Sequence, residues 1–388
     1  TRKFTGEIAF KDVVVTGTVL GKDGKPMSKS RNNGVDPIEM FNKFGVDATR
    51  IYLASIATGA DIKWNDLLIE TYRNFANKIW NATRFCLMNA EDAVVDPDSL
   101  MLSDAASLAD RWIVSRLNKT AIGANRALER YDFHTAVSTL YHFFWDDFCD
   151  WYIELKKDEI TSGDAAAATR ILTIIETALR MLHPFMPYLT EELWQKLPGT
   201  GAELHAPAYA AADATIMLTS FPAGDPRVID ETAEAEMGAV IDAIKKVRNI
   251  RSEMNISPSV KFTVHLAATT DYQAVFRANE AQILKLARAE KLVIADSLDV
   301  PKASAKAVTG EASIAVPLEG LIDFEKERER LRNQITKLTD EKTRLDGQLA
   351  NKNFVDRAPA EKVEALRERQ SELSTQIQTL ETNISALG

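Results

Sequence analysis

A mainly helical protein carrying one small α+β domain is what this sequence predicts, and three observations carry the expectation. Apolar residues recur at helical spacing through most of residues 69–222. Between 223 and 320 the pattern changes to helices mixed with short alternating or β-branched runs. From 321 onward, apolar residues return every seven positions. Residues 1–68 form a fourth unit, in which a polar loop stands between a β-branched run and a helix.

The β-branched run is Val13-Val14-Val15-Thr16-Gly17-Thr18-Val19-Leu20, read as a strand. The loop is Lys25-Pro26-Met27-Ser28-Lys29-Ser30, flanked by Gly21, Gly24 and Gly34. Lysines bring point charge, serine hydroxyls and loop N–H groups bring donors, and glycines let backbone approach closely. That makes the loop a candidate for handling an anion; a solvated turn is the other reading. Asp36 fits an N-cap, Pro37 the first helical position, and Glu39 the capping-box spacing. Ile38, Phe41 and Phe44 are the expected apolar face. A second helix is expected from Asp47, and Asp61-Ile62-Lys63-Trp64 as an extended link.

In 69–222, Tyr72, Phe75, Ile79, Trp80, Thr83 and Leu87 predict a first long helix, and Asp110 to Leu128 a second. A third starts at Tyr131-Asp132-Phe133 and carries Phe143, Phe144, Phe148, Trp151 and Tyr152. A fourth spans Asp164 to Leu182 and a short fifth Leu189 to Leu197. The sum is an antiparallel helix bundle. In 223–320, helices are expected over Thr232–Ile250 and Asp271–Ala289. Strands are expected over Val260–Leu266, Leu292–Ile294 and Ala312–Val316, giving a sheet covered on one face by the two helices.

In 321–388, Phe324, Leu331, Leu338 and Leu345 alternate with Arg328, Ile335, Lys342 and Leu349. The pattern resumes with Leu366, Leu373, Leu380 and Leu387, between Val363, Gln370, Ile377 and Ile384. Two heptad helices and a short joint predict an antiparallel coiled-coil hairpin with arms of roughly 40 Å. Pro359 suits the first turn of the second arm. The polar seam residues Arg328, Lys342 and Gln370 fit register control.

At 388 residues there is room for two to four domains. The net charge of −9 excludes a globally basic nucleic-acid binder, so any such contact has to be local. The two cysteines, Cys86 and Cys149, make no CxxC or His/Cys cluster, which argues against a disulfide framework or a metal site. No apolar run reaches membrane-spanning length and no signal peptide opens the chain. A reducing, cytoplasmic setting is the expectation. The start without methionine reads as a C-terminal piece of something larger.

Met27-Ser28-Lys29-Ser30 resembles the KMSKS signature of class I aminoacyl-tRNA synthetases. Asn33-Gly34-Val35-Asp36-Pro37 and Phe44-Gly45-Val46-Asp47-Ala48-Thr49-Arg50 resemble the stretches downstream of that signature in the branch for large aliphatic amino acids. The stretches Tyr72–Phe85 and Phe148–Glu154 resemble helices of that branch's anticodon-binding bundle. A terminal hairpin is characteristic of the valyl-tRNA synthetases, and Leu349–Pro359 resembles its tip. The cysteine-rich zinc module usual in the isoleucyl relatives has no counterpart here.

The resemblance implies activation of valine with ATP and Mg2+ and transfer of the valyl group to valine tRNA. Lys29 would be the catalytic cation, and Met27, Ser28, Lys29 and Ser30 the ATP-binding loop. Arg84, Phe85, Ile153 and Glu154 would meet the anticodon. Glu154 would accept from a base amino group, although an ordinary exposed helix charge is as good a reading; Phe85 would stack or fill the core. Arg344, Lys352 and Phe354 would reach the tRNA elbow. Two departures stand out: Pro26 replaces the first motif lysine, with Lys25 one position upstream, and no His-Ile-Gly-His-like motif occurs. The fragment alone is therefore expected to be an inactive monomer that holds no cofactor tightly. A non-catalytic tRNA-binding or coiled-coil interaction module is the competing reading.

Overall fold

The computed structural model describes residues 2–103, 105–200, 214–321, 324–351, 354 and 360–386. The chain divides into two compact units, Thr1–Met237 and Gly238–Gly388.

The first unit opens with a four-residue helix, α1 (Arg2–Thr5). The strand expected over Val13–Leu20 is confined to β1 (Val19–Leu20), which pairs in parallel with β2 (Ile62–Lys63). A strand extends only as far as a partner lies alongside it. Among the described residues Val13 and Val15 have none, and both are 83% exposed. The link expected at 61–64 supplies that partner. Gly17 allows the approach, because a Cβ there would lie 1.8 Å from the Ala60 carbonyl oxygen.

Asp36 caps α2 (Pro37–Phe44) through a bond from the Ile38 N–H, as its sequence position implied. The buried face is Met40 and Phe44, with Ile38 60% exposed, so the expected face was misphased by part of a turn. α3 (Val46–Ser55) packs beside it.

The bundle consists of α4 (Asp66–Met88), α5 (Leu108–Glu129), α6 (Phe133–His142), α7 (Ile153–Thr161), α8 (Ala165–Leu182) and α9 (Pro187–Trp194). Side-chain caps at Asn65, Ser107, Asp132 and Asp164 start α4, α5, α6 and α8. The expected third helix is continuous but not uniform. Residues Phe143–Tyr152, between α6 and α7, are π-helical. Phe143, Phe144, Phe148 and Tyr152 are at most 1% exposed, and the wider turn seats all four rings in the core.

α10 (Glu231–Glu253) runs across the division. Beyond it lie β3 (Thr263–Ala268), β4 (Lys291–Ala295), β5 (Ser304–Val308) and β6 (Ala312–Pro317), in the order β4-β3-β6-β5. β3 and β4 are parallel; the other pairs are antiparallel. The single helix expected over 271–289 is two, α11 (Thr270–Ala278) and α12 (Glu280–Ala287), broken at Asn279, whose side chain bonds back to the Val275 carbonyl. β5 escaped the sequence reading, since Ser-Ala-Lys-Ala-Val has little β-branched content and is stabilised as a strand by its neighbour β6.

The hairpin arms are α13 (Phe324–Ala350) and α14 (Ala360–Ala386), packed on each other. Leu331, Val363 and Leu373 are buried on the seam. Polar seam residues meet across it: the Gln370 amide donates to Asp346, which also pairs with Lys342 at 3.4 Å, and Arg369 bridges to Glu341 at 2.9 Å. Pro359 and Leu387 lie outside the described residues. Leu373→Ala is expected to cost the second unit about 2–5 kcal/mol, read as a lower urea midpoint.

Candidate nucleotide loop and nucleic-acid interface

The signature loop grows out of a tight turn. Leu20 and Pro26 bridge in antiparallel fashion. The Gly21 N–H donates to the Lys25 carbonyl at 2.8 Å and the Gly24 N–H to the Gly21 carbonyl at 2.9 Å, with φ +75° at Gly24. Met27 is half-buried and packs against a cluster of Met40, Phe44, Ala48, Tyr52, Trp64 and Ile69. It is thus the loop's apolar anchor, and an ATP-contacting role for its side chain has no support in this placement. Residues Lys29–Arg31 form a 3-10 turn closed by Asn32, whose φ of 47° is tolerated by an asparagine. Lys29 and Ser30 are exposed, and the Ser28 and Ser30 hydroxyls lie 3.3 Å apart.

Two acidic residues absent from the sequence-level site organise this loop. Asp23 accepts from the Lys25 N–H at 3.1 Å and from the Asn33 amide at 3.1 Å, and these bonds hold its carboxyl below the usual range. Asp66, the first residue of α4, pairs with Lys22 at 2.8 Å and accepts from the Trp64 indole at 2.8 Å; the bond from Lys22 leads the lowering of its carboxyl. The signal was present as Asp and Asn in turn positions, but only the fold tells which group each one meets.

At the far end of α4, Arg84 is exposed and Phe85 half-buried. Glu154 on α7 is half-buried and pairs at 3.1 Å with Lys157, whose ammonium stands 5.8 Å from the centre of the Phe85 ring. The fold therefore gathers Phe85 and Glu154 through Lys157, a residue the sequence reading passed over although its i,i+3 spacing from Glu154 was visible. Ile153 is only 6% exposed. It is a packing residue here, since burial of its side chain leaves nothing for a base to touch. On the hairpin, Arg344 is exposed, Phe354 is half-buried with its N–H bonded to the Asn351 carbonyl, and Lys352 lies outside the described residues.

Beneath the Glu154 surface lies a buried ionic network. Asp110 (4% exposed) pairs with Lys156 at 3.1 Å and Arg170 at 3.2 Å, and accepts from Tyr152 and Ser107 at 2.7 and 2.6 Å. It ties α5, α7 and α8 to one another. Among the described residues, no group of His, Cys, Asp and Glu side chains could hold a metal ion, and no helix is long and apolar enough to cross a membrane.

Comparison with known proteins finds three family models along the chain. Residues 1–65 match the model for class I tRNA synthetases of the isoleucine, leucine, methionine and valine group. Residues 110–266 match the anticodon-binding domain of tRNA ligases, and residues 323–388 match the tRNA-binding arm of valyl-tRNA synthetases. A protein named valine--tRNA ligase from Geobacter sulfurreducens is 41% identical over 380 residues, 96% of this chain and 41% of the relative. Over nearly its whole length the chain is similar to valyl-tRNA synthetases. Proteins of the same name from Thermotoga maritima and Bacillus subtilis are 40% and 38% identical over 95% of this chain, covering 40% and 41% of their own lengths. The chain thus spans about two fifths of the length of these relatives. Residues 66–109, which carry Arg84 and Phe85, fall between the first two model matches.

Proposed function

We propose that this chain supplies the phosphate-handling loop and the tRNA-holding surfaces of a valine–tRNA ligase. In that reaction the valine carboxylate attacks the α-phosphate of ATP and pyrophosphate leaves. A ribose hydroxyl at the tRNA 3′ end then takes the valyl group and AMP leaves. The observation that carries the reading is an exposed Lys29 between two serine hydroxyls, on a chain 41% identical over 380 residues to a protein named for this activity.

The donors fit a polyanion. Lys29 places a compact cation where charge develops on the leaving phosphates, and Ser28 and Ser30 add hydroxyl donors. Mg2+ would supply further neutralisation, with the triphosphate oxygens as its natural ligands. The loop closes over ATP and opens to release pyrophosphate, a motion its exposed 3-10 turn permits. At the other end of α4, Phe85 offers a ring for stacking, and Arg84 and Glu154 offer donor and acceptor for base edges. In this reading Arg344 and Phe354 on the hairpin, with Lys352 next to Phe354 in sequence, are the residues that meet the tRNA elbow. The protein works as a cytoplasmic monomer.

On its own the chain is expected to bind valine tRNA weakly and to form no adenylate, since it has no His-Ile-Gly-His-like stretch. With a net charge of −9, binding depends on local cations and falls steeply as salt rises. A filter-binding titration of this chain with valine tRNA, isoleucine tRNA and an anticodon-substituted valine tRNA tests the reading. Loss of one stacked base is expected to weaken binding by about tenfold or more. Equal affinity for all three RNAs would remove anticodon reading, and ATP–pyrophosphate exchange by the chain alone would refute its inactivity.

A further inference from the structure

We infer that Asn33 is the positioning residue of the signature loop, clamping the turn at Asp23 and Pro26 to the Ser28 backbone so that Lys29 is presented in one place. The inference rests on the proposed phosphate role of Lys29 and adds to it a residue to which no role has been given.

The geometry is dense for one side chain. The Asn33 carboxamide oxygen accepts from the Ser28 N–H at 2.9 Å. Its amide nitrogen reaches both Asp23 carboxylate oxygens, at 3.1 and 3.3 Å, and the Pro26 carbonyl at 3.3 Å. An asparagine has two donors and one carbonyl acceptor, so this one binds on both its donor and its acceptor side. Three separate points of the loop, at 23, 26 and 28, converge on a group seven residues beyond Pro26. The Asn33 backbone carbonyl is close as well: a Cβ at Gly21 would lie 2.9 Å from it, so the turn accepts only glycine there without shifting.

Asp23 makes the clamp charge-assisted. The Lys25 N–H and the Asn33 amide both stabilise its ionised form, which accepts and cannot donate. The clamp also explains how Pro26 is accommodated. The loop is held there through the Pro26 carbonyl, which receives Asn33 and, at 3.4 Å, Arg31, so the missing proline N–H leaves no bond unmade. Between the clamp and the Met27 anchor, the lysine-bearing turn keeps its internal shape as the loop opens and closes, and has little backbone freedom to lose when it meets a phosphate. A cation acts on a transition state only where it is held in register, and a displacement of about 1 Å can cost about a hundredfold in rate.

The test uses two readouts. In the full-length protein, Asn33→Ala is expected to lower kcat for ATP–pyrophosphate exchange about ten- to a hundredfold, with the KM for valine and the affinity for tRNA unchanged. Asn33→Asp, which sets two carboxylates against each other, should be at least as impaired. The exchanged pair Asp23→Asn with Asn33→Asp restores a donor opposite an acceptor between positions 23 and 33, but not the donor to the Pro26 carbonyl, and should recover part of the loss. In this chain itself, Asn33→Ala should speed tryptic cleavage after Lys29 several-fold. Wild-type kcat in Asn33→Ala, no recovery in the exchanged pair, or an unchanged tryptic rate would each overturn the clamp. A wild-type full-length protein without exchange activity would instead overturn the phosphate role of Lys29, and the tryptic rate would still decide the clamp.

Discussion

Lys29→Ala in the full-length protein is expected to slow ATP–pyrophosphate exchange about 10²–10³-fold, the usual loss on removing one preorganised group that stabilises developing charge. Affinity for valine tRNA should stay unchanged, because Lys29 sits on the loop turn while the proposed anticodon residues sit at the other end of the 23-residue helix α4. A helix of that length spans about 34 Å. Lys29→Arg should recover only part of the rate, since a planar guanidinium does not reproduce a compact ammonium. Paired measurement of exchange rate and tRNA dissociation constant decides the matter. If the two fell together, Lys29 would be a general binding residue. Asn33→Ala should resemble a weaker Lys29→Ala in the same assays, as expected of a residue that acts through Lys29.

What could be read from the sequence was whatever depends on local pattern. Asp36 before Pro37 gave the start of α2, and the leucine heptads gave both hairpin arms with the polar seam at Lys342 and Gln370. The long amphipathic helices were read to within a few residues at most ends, because apolar periodicity and caps act together there. What escaped depends on partners distant in sequence. The Val13–Val15 run has the composition of a strand but no paired strand among the described residues. β5 has a neighbour but not the composition. The same division applies to the site. Lys29, Ser28 and Ser30 were legible from the motif, whereas Asp23, Asn33 and Asp66 declare themselves only through what they touch. Met27 and Ile153 matched the motif stretches yet pack inward, because a resemblance marks positions without saying which way a side chain points.

The second large effect is on stability, at Asp110. Asp110→Ala is expected to destabilise the first unit by about 3–5 kcal/mol, because Arg170 and Lys156, which is 3% exposed and keeps its ion pair with Glu159, lose the buried carboxylate between them. For a unit of this size that corresponds to a melting temperature lower by roughly 6–20 °C. Burial by itself would raise the Asp110 carboxyl, but the Ser107 hydroxyl, Lys156, Arg170 and the Tyr152 hydroxyl outweigh it and hold the group below its ordinary value. A carboxyl with a depressed folded-state pKa contributes stability that is present above its unfolded value of about 3.9 and is lost as pH falls through the folded value. The wild type should therefore lose stability below about pH 4 more steeply than Asp110→Asn, as urea unfolding at pH 7, 5 and 3 would measure. Asp147 works in the opposite sense: burial raises its carboxyl despite Arg116, so burial of a carboxylate does not by itself produce an acid-side loss. Asp110→Leu combined with Lys156→Met should be milder than Asp110→Ala, since removing both charges leaves Arg170, which also donates to the Ser99 carbonyl, as the one cation to resolvate. If the double variant were instead the worse of the two, the network would stabilise the fold as a net term. Either way its geometry reaches the proposed RNA surface, because Lys156 lies between Glu154 and Lys157 in the α7 sequence facing Phe85. Asp110→Ala should therefore also weaken anticodon discrimination at temperatures where the bundle is still folded.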